Sequence, residues 1–305
     1  MVINGLEEFE GFLSGHNACA GCVEALAIRH VVKACGPETI AVSATGCMEV
    51  ISTGFPQTAW KIPWIHSAFE NAPAVASGID RALKALGKRD KVNLVVFAGD
   101  GSTFDIGFQA LSGAMERGHK FLYVVTDNEA YANTGVQRSS ASPPFANTTT
   151  TPAGKKVFGK MEPKKPLDLI FASHGIPYVA TATPASPQDI ARKVKKALAY
   201  NAPTFLHILS PCVKGWGYNG PSGIELARLA IQTRVFPVYE IENGVLTFTQ
   251  KIAKENAKPV EEYLKLQSRF KHLTPDLTRQ VQDYVDKRYS FLEGIEGKKS
   301  FDVLY

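Results

Sequence analysis

Apolar positions along this chain fall into two alternating patterns. Short, nearly continuous apolar runs occupy Thr39–Ser43, Val92–Ala98, Phe121–Val125, Tyr178–Ala180 and Thr204–Leu209, each bounded by glycine or polar residues, and they predict buried strands. Between them, apolar residues three or four apart predict helices over Val23–Ala34, Ala68–Leu86, Phe104–Met115 and Leu167–His174, with a basic helix from Pro187 to Tyr200. Strands alternating with helices in this way predict an α/β fold, a mostly parallel sheet flanked by helices. From about Glu240 onward Lys, Glu and Gln dominate and apolar residues thin out. The expected organisation is therefore one α/β domain over 1–240 and a C-terminal helical arm over 241–305 that packs on a partner subunit. One stretch resists both patterns: Ala132–Lys165 is rich in Ser, Thr, Pro and Gly. A loop that long inside a domain is usually functional or covers a site.

Composition narrows the class without choosing a function. Among 305 residues, 45% are hydrophobic and 21% charged, which suits a globular protein with a substantial core. A net charge of +5 is too small at this length to argue for nucleic acid. The cluster Arg192, Lys193, Lys195 and Lys196 reads as a solvated helix face. No apolar stretch approaches membrane-spanning length. The opening segment Met1–Glu10 is acidic rather than basic-then-apolar, so no secretory signal is expected, and the default expectation is a cytoplasmic enzyme.

The candidate chemistry begins where two predicted strands end. Gly99-Asp100-Gly101 closes the run Val92–Ala98, and Asn128 follows the run Phe121–Val125 after 26 intervening residues. Adjacent parallel strands joined by a helix put both residues at one carboxyl edge, where α/β proteins bind ligands. Gly-Asp-Gly by itself is a common tight turn. In this context, however, a carboxylate and an amide oxygen, with a backbone carbonyl such as that of Ala130, suit Mg²⁺ carrying a diphosphate. The glycines let the backbone approach phosphate, and a helix beginning there would aim N–H groups at it.

Five cysteines supply a second signal. Cys19 and Cys22 lie in a loop entering a helix, Cys47 and Cys212 follow strands, and Cys35 ends a helix, where a buried thiol explains it. A Cys-x-x-C can be a redox dithiol, half a zinc site or half an iron–sulfur site. The segment before Cys19 lacks the strand that a thioredoxin-like pair would follow. Zinc and iron–sulfur sites both accept four thiolates, and Cys47 and Cys212 can join the loop pair at a shared sheet edge.

Taken in order, these motifs resemble a known family. They are Ala18-Cys19-Ala20-Gly21-Cys22, Ala44–Val50, Trp64–Asn71, Gly99-Asp100-Gly101, Asp127–Tyr131, Asn133-Thr134-Gly135, Gly175–Ala180, Ser210-Pro211-Cys212 and Pro259–Leu264. The chain resembles the β subunit of the multi-subunit 2-oxoacid:ferredoxin oxidoreductases, the pyruvate synthase family, over nearly its whole length. The resemblance implies a thiamine-diphosphate-binding fold that carries the diphosphate half of the cofactor. It implies that Gly46, Cys47, Gly99, Asp100, Gly101, Ser102, Asn128, Ala130, Asn133 and Thr134 line the cofactor. Within that set Asp100, Asn128 and the Ala130 carbonyl would ligate Mg²⁺, and the Asn133 amide would reach the reacting centre. It further implies that Cys19, Cys22, Cys47 and Cys212 hold one [4Fe–4S] cluster that drains electrons from the cofactor.

The same resemblance implies partners: α, γ and ferredoxin-like δ subunits, ferredoxin or a similar acceptor, a 2-oxo acid, and coenzyme A as co-substrate. The acid that activates the cofactor would come from another subunit, not from Glu70 or Glu129. The pattern departs from pyruvate-type members at Ser140–Asn147, where an aromatic, a glycine and then a Trp are replaced. That departure sets phenylglyoxylate and branched-chain 2-oxo acids beside pyruvate as substrates. His66 and His16 read equally as hydrogen-bonded structural residues or as functional ones. Two other functions remain open at this point: a thiamine-dependent decarboxylase with structural zinc, and a non-catalytic iron–sulfur relay subunit.

Overall fold

Six parallel strands carry the fold: β1 (Thr39–Ala44), β2 (Trp64–Ser67), β3 (Asn93–Gly99), β4 (Leu122–Asp127), β5 (Tyr178–Ala182) and β6 (Thr204–Leu209). The structure, a computed structural model, describes residues 6–305, so the opening segment Met1–Glu10 lies partly outside the described residues. An antiparallel pair, β7 (Val238–Glu242) and β8 (Val245–Gln250), extends the sheet to the order β2-β1-β3-β4-β6-β5-β7-β8. The helices are α1 (Val23–Cys35), α2 (Cys47–Ser52), α3 (Ala72–Ala85), α4 (Phe108–Glu116), α5 (Leu167–Ala172), α6 (Pro187–Leu198), α7 (Gly223–Gln232), α8 (Val260–Leu264) and α9 (Pro275–Ile295). Among the described residues no helix is long and apolar enough to cross a membrane.

Burial on both faces explains why the central strands read as unbroken apolar runs. In β3, Val95 and Phe97 point to the α1 and α6 side, packing with Ile28, Val32 and Val194. Leu94, Val96 and Ala98 point to the opposite side, against Ala76, Leu111, Phe171 and Leu292. Helix α3 starts at Ala72 with Pro73 in its first turn, where the missing N–H costs nothing. The predicted helix after Gly101 instead opens with a π-helical turn, Gly101–Ile106, before α4.

Three expectations are corrected. The boundary expected at residue 240 falls inside β7, and the segment 241–305, expected to pack on a partner subunit, packs on this chain's own sheet. Its strand β8 completes the sheet, and Tyr289 and Leu292 of α9 are buried in the same cluster as Val96 and Phe205. Leu277, Val281 and Val285 pack with Trp216 and Leu226. The basic helix is not uniformly solvated either. Lys193 is fully buried, donating to the Thr181 carbonyl, Asp189 and Thr249, while Arg192 and Lys196 pair with Glu240 of β7. Those ion pairs explain why β7 was missed: its inward-facing charges disguise a strand whose partners lie on α6. Short β2 was missed because Ile65 and His66 are exposed at the sheet edge. His66 is thus no core residue; its Nε2 lies 2.7 Å from Thr45 Oγ1.

Charge is also buried between the strands. His207 of β6 lies between Asp127 (2.8 Å) and Asp168 (2.7 Å), and Asp168 also accepts from Tyr239 at 3.2 Å. Burial opposes charge on His207, but the two carboxylates outweigh it and raise its pKa from the usual 6.5 to about 9. Such a group stabilises the fold fully below pH 6.5, and the contribution is lost as pH rises through about 9. His207→Gln should therefore be destabilised most at about pH 6.5 and below. Its denaturation midpoint should approach the wild-type value between about pH 6.5 and about pH 9.5, and a constant gap would show that the charge does not matter. Leu292→Ala tests the placement of α9. Truncating a side chain buried against the sheet should cost about 2–5 kcal/mol in denaturant unfolding, and an unchanged midpoint would return α9 to the status of a loose arm.

Candidate active site at the carboxyl edge of the sheet

The strand order 2-1-3-4 places a topological switch between β1 and β3, the point at which open α/β sheets bind ligands. Gly46 and Cys47 follow β1 there, and Gly99 ends β3 with Asp100 next. Register sets Gly99 opposite Thr126 of β4, so Asn128 emerges beside Asp100. These ends enclose a cavity of about 210 Å³ lined by Gly46, Cys47, Gly99, Asp100, Gly101, Asn128, Ala130, Asn133 and Thr134. Nine of the ten expected cofactor residues therefore meet. Ser102 does not face the cavity; it is buried behind the turn and donates to the Phe69 carbonyl at 2.5 Å.

The geometry of the polar trio fits a cation. The amide terminus of Asn128 lies 3.3 Å from Asp100 Oδ1 and 2.7 Å from the Ala130 carbonyl oxygen. Turned with its nitrogen inward, the amide donates to both; turned with its oxygen inward, three oxygens converge and call for a positive charge. Asp100 is buried, and desolvation together with the charge of Asp127 pushes its pKa well above the carboxylate range. A divalent cation would reverse that penalty. Ser139 donates to the other Asp100 oxygen, leaving Oδ1 toward Asn128. No atom lies within 4 Å of a Cβ added at Gly46 or Gly99, so each glycine leaves room for a ligand against bare backbone. Gly101 is required for another reason: the Tyr131 ring occupies the space of its Cβ.

The thiols gather at the same edge. Gly21, at φ +83°, brings the Cys19–Cys22 loop backbone-to-backbone against Gly220, beyond the turn that follows Cys212. Cys22 donates its N–H to the Cys19 carbonyl at 2.9 Å, and Cys212 Sγ accepts from Gly215 N–H at 3.2 Å. Burial pushes Cys22 up to about 12 and raises Cys47 and Cys212 as well. Each is raised further by neighbouring charges, including that of another of these cysteines. Thiols held neutral in this way are poor nucleophiles and need bound metal to ionise. Among the described residues no three Cys, His, Asp or Glu side chains converge tightly enough for a single ion. Cys35, the last residue of α1, is buried in the core.

Glu24 is a cavity residue that the sequence reading missed. It lines the cavity, is buried, accepts from Thr126 at 2.8 Å, and its charge acts on Cys22, Cys47 and Cys212. Burial raises its pKa to about 7. A carboxylate inside the apolar stretch Val23–Ile28, two residues after Cys22, was the available signal. Asn133 is exposed at the cavity mouth, and its amide is hydrogen-bonded to no other side chain or backbone group among the described residues. Glu129 does not line the cavity, and the varied segment Ser140–Asn147 does not either; the Asn147 side chain accepts from Ala153 N–H at 2.8 Å.

Comparison with known proteins agrees with this geometry. Residues 44–208 match the model of the thiamine pyrophosphate enzyme C-terminal TPP binding domain, just over half of the chain. The chain is 52% identical to pyruvate synthase subunit PorB of Methanocaldococcus jannaschii, covering 96% of this chain and 99% of that one. It is 46% identical to ketoisovalerate oxidoreductase subunit VorB of Pyrococcus abyssi, covering 93% of each. A 2-oxoglutarate:ferredoxin oxidoreductase structure from Magnetococcus marinus shares the fold, with TM-score 0.57 and 22% identity over 74% of this chain and 84% of that chain. The chain belongs to the thiamine-diphosphate enzymes and, within them, to the β-subunit family of the 2-oxoacid:ferredoxin oxidoreductases.

Proposed function

We propose that this subunit holds Mg²⁺ through Asp100, Asn128 and the Ala130 carbonyl, and one [4Fe–4S] cluster through Cys19, Cys22, Cys47 and Cys212, within a complex that oxidises pyruvate. The observation that carries the reading is Cys47, which stands on the wall of the cavity beside Gly99 and Asp100, so thiol site and diphosphate site share one residue. Thiamine diphosphate, when bound, supplies the electron sink that makes cleavage beside a 2-oxo group feasible. The residues of this chain do the rest: Asp100 and Asn128 fix the diphosphate end, Gly46 and Gly99 leave it room, and the four cysteines keep an electron acceptor within reach. Asn133, uncommitted at the mouth, would donate its amide to charge developing on the reacting group.

Neither Glu70 nor Glu129 lines the cavity. By the family resemblance the activating acid would come from a partner subunit, with α, γ and a ferredoxin-like δ chain as the expected set, ferredoxin as acceptor and coenzyme A as co-substrate. Free cysteines throughout fit a reducing cytoplasm. Pyruvate is proposed as the substrate because four relatives more than 50% identical to this chain are pyruvate synthase subunits, and residues 140–147 do not line the cofactor cavity.

Two substitutions in the anaerobically assembled complex separate the sites. Cys47→Ser should remove the broad absorbance at about 400 nm that a cluster gives. Asp100→Ala should abolish retention of thiamine diphosphate while that absorbance persists; a complex that keeps its thiamine after Asp100→Ala has its metal elsewhere. In a panel of 2-oxo acids, pyruvate should turn over faster than 2-oxoisovalerate and phenylglyoxylate, and equal rates would reject the assignment. In the same panel Asn133→Ala should lower kcat by about 100-fold without loss of bound thiamine.

A further inference from the structure

Glu129, between the two proposed metal-ligating residues Asn128 and Ala130, has a left-handed backbone, φ 65°. A β-carbon makes that conformation unfavourable, so it persists only where the surroundings impose it. Here they do. The Glu129 N–H donates to Asp127 Oδ1 at 2.9 Å and its carbonyl accepts from Ser142 at 2.6 Å. Its buried carboxylate is gripped from two sides, by Lys164 at 2.9 Å and by Arg269 at 2.6 Å. The reversal at Glu129 is what turns the Asn128 amide and the Ala130 carbonyl toward the same point, 2.7 Å apart.

Arg269 does more than neutralise Glu129. Its guanidinium lies 4.0 Å over the Trp216 ring, and Trp216 Nε1 donates to the Asn128 carbonyl at 2.7 Å. Trp216 belongs to the π-helical turn Val213–Gly217 that follows Cys212. One buried side chain thus touches the turn beside Asp100 and the turn after Cys212. Lone buried ion pairs are weak devices for stability, because desolvation consumes most of the attraction. A pair placed against a strained residue between two ligands is better explained by what it orients.

We propose that Arg269, acting through Glu129 and Trp216, is a positioning residue that holds the Asn128–Ala130 turn in its cation-binding shape and rivets it to the Cys212 turn. The proposal rests on the reading of Asp100, Asn128 and Ala130 as the Mg²⁺ site. It assigns a role in the cofactor site to the C-terminal segment, which contributes nothing to the lining of the cavity.

The test uses the assembled complex stripped of thiamine diphosphate, with Mn²⁺ as a paramagnetic substitute titrated in saturating thiamine diphosphate and bound metal read by electron paramagnetic resonance. Arg269→Met keeps bulk over Trp216 and removes the grip on Glu129. Its apparent Mn²⁺ dissociation constant should rise about 10–100-fold, the range found for residues that orient metal ligands. Unfolding temperature and cluster absorbance, measured on the same samples, should change far less. Glu129→Gln sets an amide N–H₂ against one of the cations and should give a similar loss. The double variant should lose less than the product of the two single effects, because both act through one contact. Wild-type Mn²⁺ affinity in Arg269→Met, with affinity lost in Asp100→Ala, overturns the positioning role alone. Unchanged affinity in Asp100→Ala overturns the metal reading beneath it. If Arg269→Met does not assemble, Glu129→Gln decides: wild-type affinity there overturns the proposal, and a comparable loss supports it.

Discussion

The pairing of β3 with β4, Gly99 opposite Thr126, is the constraint on which the site depends. Parallel strands end at the same edge, so their register decides which residues leave the sheet side by side. A slip of one residue would turn Val96 and Val125 out of one apolar layer and Val95 and Val124 out of the other, and would carry Asp100 away from Asn128. The layers of apolar side chains on both faces therefore hold the polar pair in place. Core packing and cofactor geometry are here the same requirement, expressed at the middle and at the end of two strands.

Charges buried around that edge follow a common logic. Asp127 is held by His207 from below and Lys164 from the side, Glu129 by Lys164 and Arg269, and Asp168 by His207 and Tyr239. Burial penalises each of these groups, while neighbouring charges hold Asp127 and Asp168 below the usual carboxylate range. Asp100, in contact with none of these cations and with Asp127 nearby, is pushed the other way. Asp100 and Glu24, which line the cavity, form no ion pair among the described residues, unlike Asp127, Glu129 and Asp168.

The parts of this structure that could be read from sequence were those governed by local pattern. Val23–Cys35, Thr204–Leu209 and the strand leading to Gly99 announced themselves because one periodicity fills each of them. The Gly-Asp-Gly and Asn128 pair was legible for a related reason: strand, helix and strand in succession fix relative position without long-range information. The C-terminal segment was misread because its apolar residues are spread thinly along α9 and gain a core only by meeting Phe248, Arg234 and the sheet. Glu24 was overlooked because nothing nearby in sequence marks Thr126 and three thiols as its surroundings.

The ion pair between Glu129 and Arg269 spans 140 residues of chain. During synthesis the sheet edge can form once β6 has emerged, since strands β1 to β6 already contain both turns of the cavity wall. The grip on Glu129 from Arg269 cannot form until the chain has passed β8 and α8. A nascent polypeptide thus carries the strands of this site well before it carries the clamp. Contacts of high sequence separation are also late to form in folding generally. The contact between Glu129 and Arg269 is consequently made only after the strands that carry the cavity wall have emerged.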